Sequence, residues 1–388
     1  MFKTIPQYIS AISDTFGLTK TLGVIDFYTK PDGSIWFIVG NNSVIFRIRH
    51  KGECKMLKCY TRGKQNMRRI YGSQCLREEL FVHSDYLHGE WVDVVLCDWI
   101  EGKNLHQVIL DNLGNPSVMQ DLADKFDKMA LKLLSEEWAH GDLKPENIIV
   151  SPDGELHLID FDAMFRPEFN GEQSDEIGTA AFQHPSRNSD FFNKSIDDFP
   201  IALISTALHA LALDPTLAER YDVTDMLLMH PKEIVSHKSK ALNEIIPLFA
   251  ERGKAVSYRI AKLLDWGVPR IFSLPRLLEY ATRPVVTMGM NENEAPLLDN
   301  YKGFWGYRRE EEFVIAPVYD CGFDFREGLA AVRIGTKCHY INQQGVIVIS
   351  CPQYDSAKSF RGGRAIVVKD GIRKQIDKNG VEIEAEKL

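Results

Sequence analysis

The stretch from His140 to Asp162 restricts what this chain can fold into more than any other. It opens with His140-Gly141-Asp142-Leu143-Lys144-Pro145-Glu146-Asn147 and closes with Leu158-Ile159-Asp160-Phe161-Asp162. Between them, the apolar runs Asn147–Val150 and Glu155–Ile159 flank the turn signal Ser151-Pro152-Asp153-Gly154, which predicts a β-hairpin. A hairpin brings the end of its second strand back to the start of its first. Asp142 and Asn147, on the loop before one strand, are therefore expected beside Asp160, at the end of the other. Phosphoryl transfer asks little covalent work of a protein: metal ions to neutralise phosphate charge and a carboxylate to orient the attacking hydroxyl. Magnesium prefers oxygen ligands and keeps several waters, so one carboxylate and one amide oxygen suit it.

Around this stretch the pattern changes character. Apolar stretches at Val24–Tyr28, Ile35–Val39, Val44–Ile48 and Met56–Tyr60, separated by Pro31-Asp32-Gly33, Gly40-Asn41-Asn42 and Lys51-Gly52, predict an antiparallel meander over residues 1–100. From Ser117 the spacing of Val118, Leu122, Phe126, Met129 and Leu133 is helical, and residues 198–280 read as mainly helical, giving a second region over 101–280. A linker is expected at 281–299. Beyond it, Pro317-x-Tyr319-Asp320 returns as Pro352-x-Tyr354-Asp355, and Phe325, Gly328 and Val332 return as Phe360, Gly363 and Val367, each 35 residues on. A period of that size signals stacked small units, here short strands broken by Gly and Asp turns over 300–388.

Composition narrows the setting. The chain of 388 residues is 44% hydrophobic and 26% charged, an ordinary globular balance. Its formal net charge of −8 argues against a sequence-independent nucleic-acid binder, which needs a basic face. The N-terminus lacks the apolar core of a signal peptide and no run is long enough to span a bilayer, so neither membrane nor export is expected. Seven cysteines without C-x-x-C pairing read as free thiols, which fits a cytoplasmic protein.

The motif residues resemble those of the protein-kinase family, whose catalytic loop reads H-R-D-x-K-P-x-x-N and whose metal motif reads D-F-G. Gly178-Thr179-Ala180-Ala181-Phe182-Gln183-His184-Pro185-Ser186 is similar to the end of an activation segment, Asp197-Asp198-Phe199 to the acid that braces the catalytic loop, and Val95–Gly102 to the strand and hinge behind adenine. Met56-Leu57-Lys58 is similar to the V-A-I-K strand. The resemblance implies an α+β, two-lobed protein-kinase-like fold, with a small antiparallel β lobe and a large α lobe, followed by a small all-β repeat module. It implies ATP and magnesium as cofactors, Asp142 as the acid that accepts the hydroxyl proton, Lys144 steadying the transferred group, and Asn147 and Asp160 on the metal. Lys58 would reach the phosphates. Asp98 and Ile100 would meet adenine through their backbones, with Cys97 as gatekeeper and Gly40, Ile45, Met56 and Ile149 also around the nucleotide. Glu79 is favoured over Glu78 as the acid paired with Lys58.

The family pattern is broken in places. Only Gly40 survives of three loop glycines, Gly141 stands where an arginine reads a phosphorylated segment, Asp162 replaces the glycine of D-F-G, and Ser186 replaces the glutamate of A-P-E. These changes suit an atypical Ser/Thr protein kinase not switched by such phosphorylation, acting on an unidentified protein substrate. His140-Gly141-Asp142 with Asp160-x-Asp162 is also similar to small-molecule kinases of the aminoglycoside and choline type, and a pseudokinase scaffold is the third possibility. The tail, with Gly303-Phe304-Trp305-Gly306-Tyr307 and the Pro-x-Tyr-Asp units, resembles WG repeats, which implies a surface for a protein partner or for the kinase lobe. Deleting residues 300–388 is expected to leave that lobe folded.

Overall fold

Thr4 and Gln7 form a reciprocal capping box that starts α1 (Ile5–Ser13), with Pro6 in its first turn. This helix, not foreseen from the sequence, buries Tyr8, Ala11 and Ile12 against an antiparallel sheet. The computed structural model describes residues 3–85, 88–282 and 295–383. The sheet is built from β1 (Asp26–Phe27), β2 (Phe37–Val39), β3 (Ser43–His50) and β4 (Glu53–Tyr60), then, after the short helix α2 (Met67–Tyr71), β5 (Cys75–His83) and β6 (Gly89–Asp98). Its order is β1-β3-β4-β6-β5, with β2 also on β3. The meander is present, with β3 and β4 longer than their apolar runs and the first strand shorter. Val44, Phe46, Ile48, Leu57, Cys59, Leu80, Val82 and Val94 alternate inward to form its core.

A mainly helical region follows. β7 (Lys103–Asn104) pairs with β8 (Ile148–Val150), and β8 with β9 (Leu156–Leu158), so the hairpin forms with Ile149 opposite His157. The helices are α3 (Leu105–Asn112), α4 (Pro116–Ser135), α5 (Asp198–Leu213), α6 (Leu217–Arg220), α7 (Pro231–Val235), α8 (Lys240–Glu251), α9 (Ala255–Asp265) and α10 (Leu274–Thr282). α5 is buried along nearly its whole length, which makes it the central post of the region. Against it, α4 contributes Asp127, whose carboxylate accepts Ser205 Oγ at 2.7 Å and meets His209 Nε2 at 2.8 Å. The linker expected at 281–299 is shorter than that span, because α10 includes Thr282 and the next strand begins at Leu297; residues 283–294 lie outside the described residues.

The tail folds as three small antiparallel sheets: β10 (Leu297–Tyr301), β11 (Phe304–Arg309) and β12 (Glu312–Tyr319); β13 (Cys321–Gly322), β14 (Ala330–Ile334), β15 (Lys337–Ile341) and β16 (Ile347–Cys351); and β17 (Ser356–Ala357), β18 (Arg364–Lys369), β19 (Ile372–Asp377) and β20 (Glu382–Ile383). The internal repeat has a physical basis. Asp320 Oδ2 accepts Gly335 N at 2.6 Å, and Asp355 Oδ2 accepts Asp370 N at 2.8 Å, so each Pro-x-Tyr-Asp acid ties down the turn of the hairpin that follows it. Tyr307 packs at a tilt against Phe325, centroids 4.8 Å apart, and donates to Phe323 O; Tyr340 packs likewise against Phe360 at 4.9 Å and donates to Lys358 O.

These sheets do not stand apart from the helices. Tyr307, Ile315, Val318, Tyr319, Val332, Ile334 and Ile341 share one continuous core with the residues of α4, α5, α8 and α9. His339, fully buried, meets Ala250 O through Nε2 at 2.7 Å, and Ile347 Cδ1 lies 1.8 Å from where a Cβ on Gly253 (φ +68°) would sit. This shared core speaks against the expectation that deletion of 300–388 leaves an intact helical region, since removal would strip the cover from its apolar face.

Candidate active site

Lys58 lies on β4 opposite Ile45 on β3 and Val95 on β6, pointing into the space between sheet and helices. Only 2% exposed, its ammonium reaches Asp160 Oδ1 at 2.5 Å and Asp162 Oδ2 at 2.9 Å. Burial works against its charge, but the two carboxylates outweigh it and hold the ammonium above its ordinary value. Asp160 occupies the left-handed region at φ +63°, which a short polar residue tolerates, and its side chain is 41% exposed.

Asp162 is the more enclosed of the two. Its Oδ1 accepts Tyr60 OH at 2.7 Å and Tyr71 OH at 2.6 Å, while Oδ2 meets Lys58 and, at 3.2 Å, Lys64. Burial acts to raise its pKa, yet Lys58 foremost, then Lys64 and Tyr71, hold the carboxyl down at about 2.

The loop 140–147 is fixed from below. Asp197, at the start of α5, accepts His140 N at 2.5 Å and Gly141 N at 2.9 Å. Arg187 donates through Nη1 to Gly141 O. His140 Nε2 meets Ile159 O at 2.8 Å, and Ile159 N donates to Asn147 O at 2.9 Å, which joins the loop to the strand end before Asp160. Asn147 Nδ2 donates to Asp142 O at 2.8 Å and lies 3.2 Å from Asp142 Oδ2. With its nitrogen so spent, the Asn147 amide has its oxygen left to offer a cation. Asp142 Oδ1 accepts Thr179 N at 2.6 Å, and Lys144 Nζ donates to Thr179 Oγ1 at 2.8 Å and lies 3.4 Å from Asp142 Oδ2.

Lys58 with Asp160, and Asp142 with Asn147, Lys144 and Thr179, thus form two side-chain clusters, which the backbone of Ile159 joins through its N–H to Asn147 O and its carbonyl to His140. The other predicted residues are placed by local bonds of their own. Gly40 donates its N–H to Ser43 O in the β2–β3 turn. Met56 faces Cys97 across β4 and β6, and Cys97, partly buried, has its thiol pushed up to about 11. Asp98 ends β6 with its carboxylate 2.5 Å from Lys55 Nζ, and Ile100 follows Trp99, whose N–H donates to Cys54 O. These bonds anchor the segment just after β6 to β4.

Glu79 is a correction. It sits in β5, with no helix to carry it toward Lys58, and its carboxylate accepts Thr21 N, Leu22 N and Thr21 Oγ1, each at 2.7 Å. Glu78, in a bulge at φ +44°, pairs with Lys20 at 2.8 Å. The sequence signal that pointed elsewhere was the acid at 162, in a position expected to hold glycine; Tyr60, Lys64 and Tyr71 carried no such mark.

Among the described residues, no group of three or more His, Cys, Asp or Glu is placed to hold a metal alone. Asp160 and the Asn147 amide each offer oxygen, the donor type magnesium takes when phosphate and water complete the shell. Among the described residues, no helix is long and apolar enough to cross a membrane. Comparison with curated proteins finds no match. Residues 307–338 and 340–371 each match the family model described as WG containing repeat, a match that lies within the three-sheet tail and begins just after Trp305-Gly306.

Proposed function

We propose that residues 3–282 form a two-lobed phosphotransferase of the protein-kinase type, dependent on ATP and magnesium, that transfers a phosphoryl group to a Ser or Thr hydroxyl. The observation that carries this reading is the linked set Lys58–Asp160 and Asn147–Asp142–Thr179–Lys144, braced by Asp197. Magnesium-bound ATP supplies the transferable phosphoryl group and the counter-charge for it. The chain's own groups divide the remaining work. Lys58 holds phosphate oxygens, and Asp160 and Asn147 present oxygen ligands. Asp142 Oδ2 orients the acceptor hydroxyl and takes its proton, while Oδ1 stays on the Thr179 amide. Lys144 keeps positive charge beside Asp142. Gly178-Thr179 at the acceptor side favours a protein hydroxyl over a small metabolite. The repeats, sharing core with the large lobe, present a surface for a protein partner.

Incubating the full chain with labelled ATP and magnesium, beside Asp142→Asn, tests this. Label on protein that disappears in the variant supports it. Label confined to added small alcohols or aminoglycosides supports a small-molecule kinase, and nucleotide binding without turnover supports a scaffold.

A further inference from the structure

A buried lysine that grips phosphate needs a fixed acid beside it, because an ammonium removed from water is costly to hold unless it is paired. In this chain neither Glu78 nor Glu79 reaches Lys58, and α2, the helix between β4 and β5, is Met67-Arg68-Arg69-Ile70-Tyr71, without an acid. Lys58 instead touches two aspartates of one motif.

We propose that Asp162 is the positioning acid of Lys58, held in place by Tyr60, Tyr71 and Lys64, and that Asp160 is the member of the pair released to the metal. The inference rests on the phosphotransferase reading and deepens it. Three observations carry it. The exposure differs: the Asp160 side chain is 41% exposed and can turn toward a ligand, whereas that of Asp162 is 12% exposed. The saturation differs as well, since both oxygens of Asp162 are occupied by four donors of the chain itself. A carboxylate so enclosed is suited to fixing a lysine rather than to ligating a second cation. The donors also come from one side. Tyr60 lies two residues beyond Lys58 on β4, on the same face, and Tyr71 ends α2, so the β lobe grips an acid supplied by the segment after the hairpin. Once Asp160 turns to a cation, Asp162 is the carboxylate that Lys58 retains among the described residues. The substitution of aspartate for glycine at 162 and the want of a glutamate near Lys58 become one compensated change.

The test measures equilibrium binding of MgATP and of adenosine to the full chain, for wild type, Asp162→Asn, Tyr71→Phe and Glu79→Gln, with circular dichroism to check folding. Asp162→Asn is expected to weaken MgATP binding by about tenfold or more and to leave adenosine within about twofold, because the lysine serves the phosphates and not the base. Tyr71→Phe, which keeps the ring, is expected to weaken MgATP in the same direction by a smaller factor. Glu79→Gln is expected to lower stability without changing the affinity ratio. Equal loss of both ligands in Asp162→Asn and Tyr71→Phe would mean a merely structural role and overturn the proposal, as would unchanged MgATP affinity in Asp162→Asn or a selective loss in Glu79→Gln. A wild-type chain that binds no MgATP would remove the phosphotransferase reading itself, and this inference with it.

Discussion

Arg259 on α9 and Asp320 at the end of β12 face each other across the junction of helices and repeats, Nη2 to Oδ1 at 2.9 Å. The same guanidinium donates through Nε to Val318 O at 2.7 Å and lies 3.8 Å from the Phe304 ring. Arg259→Ala removes a nearly buried cation, a hydrogen bond and a stacked face together, and is expected to cost about 2–3 kcal/mol, discounted for the partly exposed aspartate. Urea unfolding of the full chain measures it; a change under about 0.5 kcal/mol would show that the junction does not depend on this residue.

The shared core sets a second expectation. A chain cut after residue 294 exposes the faces of α8 and α9 now covered by Tyr307, Ile315, Val318 and Ile347. Such a fragment should elute as aggregates in size-exclusion chromatography. A monomeric fragment with the helical content of the parent would disprove the coupling.

At the candidate active site, Asp160→Asn keeps the shape of the side chain but removes the anionic oxygen that the proposed magnesium would take. Turnover should fall by about a hundredfold or more, with the folded spectrum retained. Phosphoryl transfer at the wild-type rate would remove Asp160 from the metal assignment.

His339 gives the junction a pH dependence. Burial holds its imidazole below the ordinary value of 6.5, so the unfolded chain takes up a proton that the folded chain resists. Stability from the neutral ring is whole above about 6.5 and drains away as pH falls below it. Buried His184 shifts in the same direction and Asp198, raised to about 7 by burial, in the opposite one, so the informative quantity is a difference. Between pH 7.5 and 5.5, wild type should lose more melting temperature than His339→Gln. Parallel curves for the two proteins would rule out the assignment.

Arg69 on α2 tests how the segment after Asp162 is held. Its guanidinium meets both Glu172 oxygens, at 2.7 and 2.8 Å, reaches Glu168 O, and lies 4.2 Å from the Phe169 ring. Exposed ion pairs contribute little to global stability, so Arg69→Ala should leave the melting temperature almost unmoved. Amide exchange over 166–176 should nevertheless quicken by roughly tenfold, a local opening. Unchanged exchange would mean that Phe169 and Phe192 hold the segment without it.

Much of the architecture was legible because its signals are local. The hairpin at 147–159 follows from turn chemistry, α4 from the spacing of Leu122, Phe126 and Leu133, and the 35-residue repeat from Asp320 and Asp355, which tie equivalent turns. The partners of Lys58 were less so. Asp162 stood out only as a departure, and its donors, Tyr60, Lys64 and Tyr71, are separated from it by about a hundred residues, so no sequence period connects them. Glu79 misled because an acid in an alternating strand looks the same whether it faces a lysine or caps Thr21 and Leu22. Contact between the tail and the helices was among the expectations, but their shared core was not, because the residues that cover α8 and α9 also satisfy the inward pattern of the repeats themselves.

Gly253 carries a consequence of that docking. Its left-handed backbone alone would admit an asparagine, but a Cβ there would meet Ile347 Cδ1 at 1.8 Å, so the isoleucine tip would have to turn aside. A larger residue at 253 would first push the tip of Ile347 aside, so this turn is where a change among the helices would be passed to the second repeat unit.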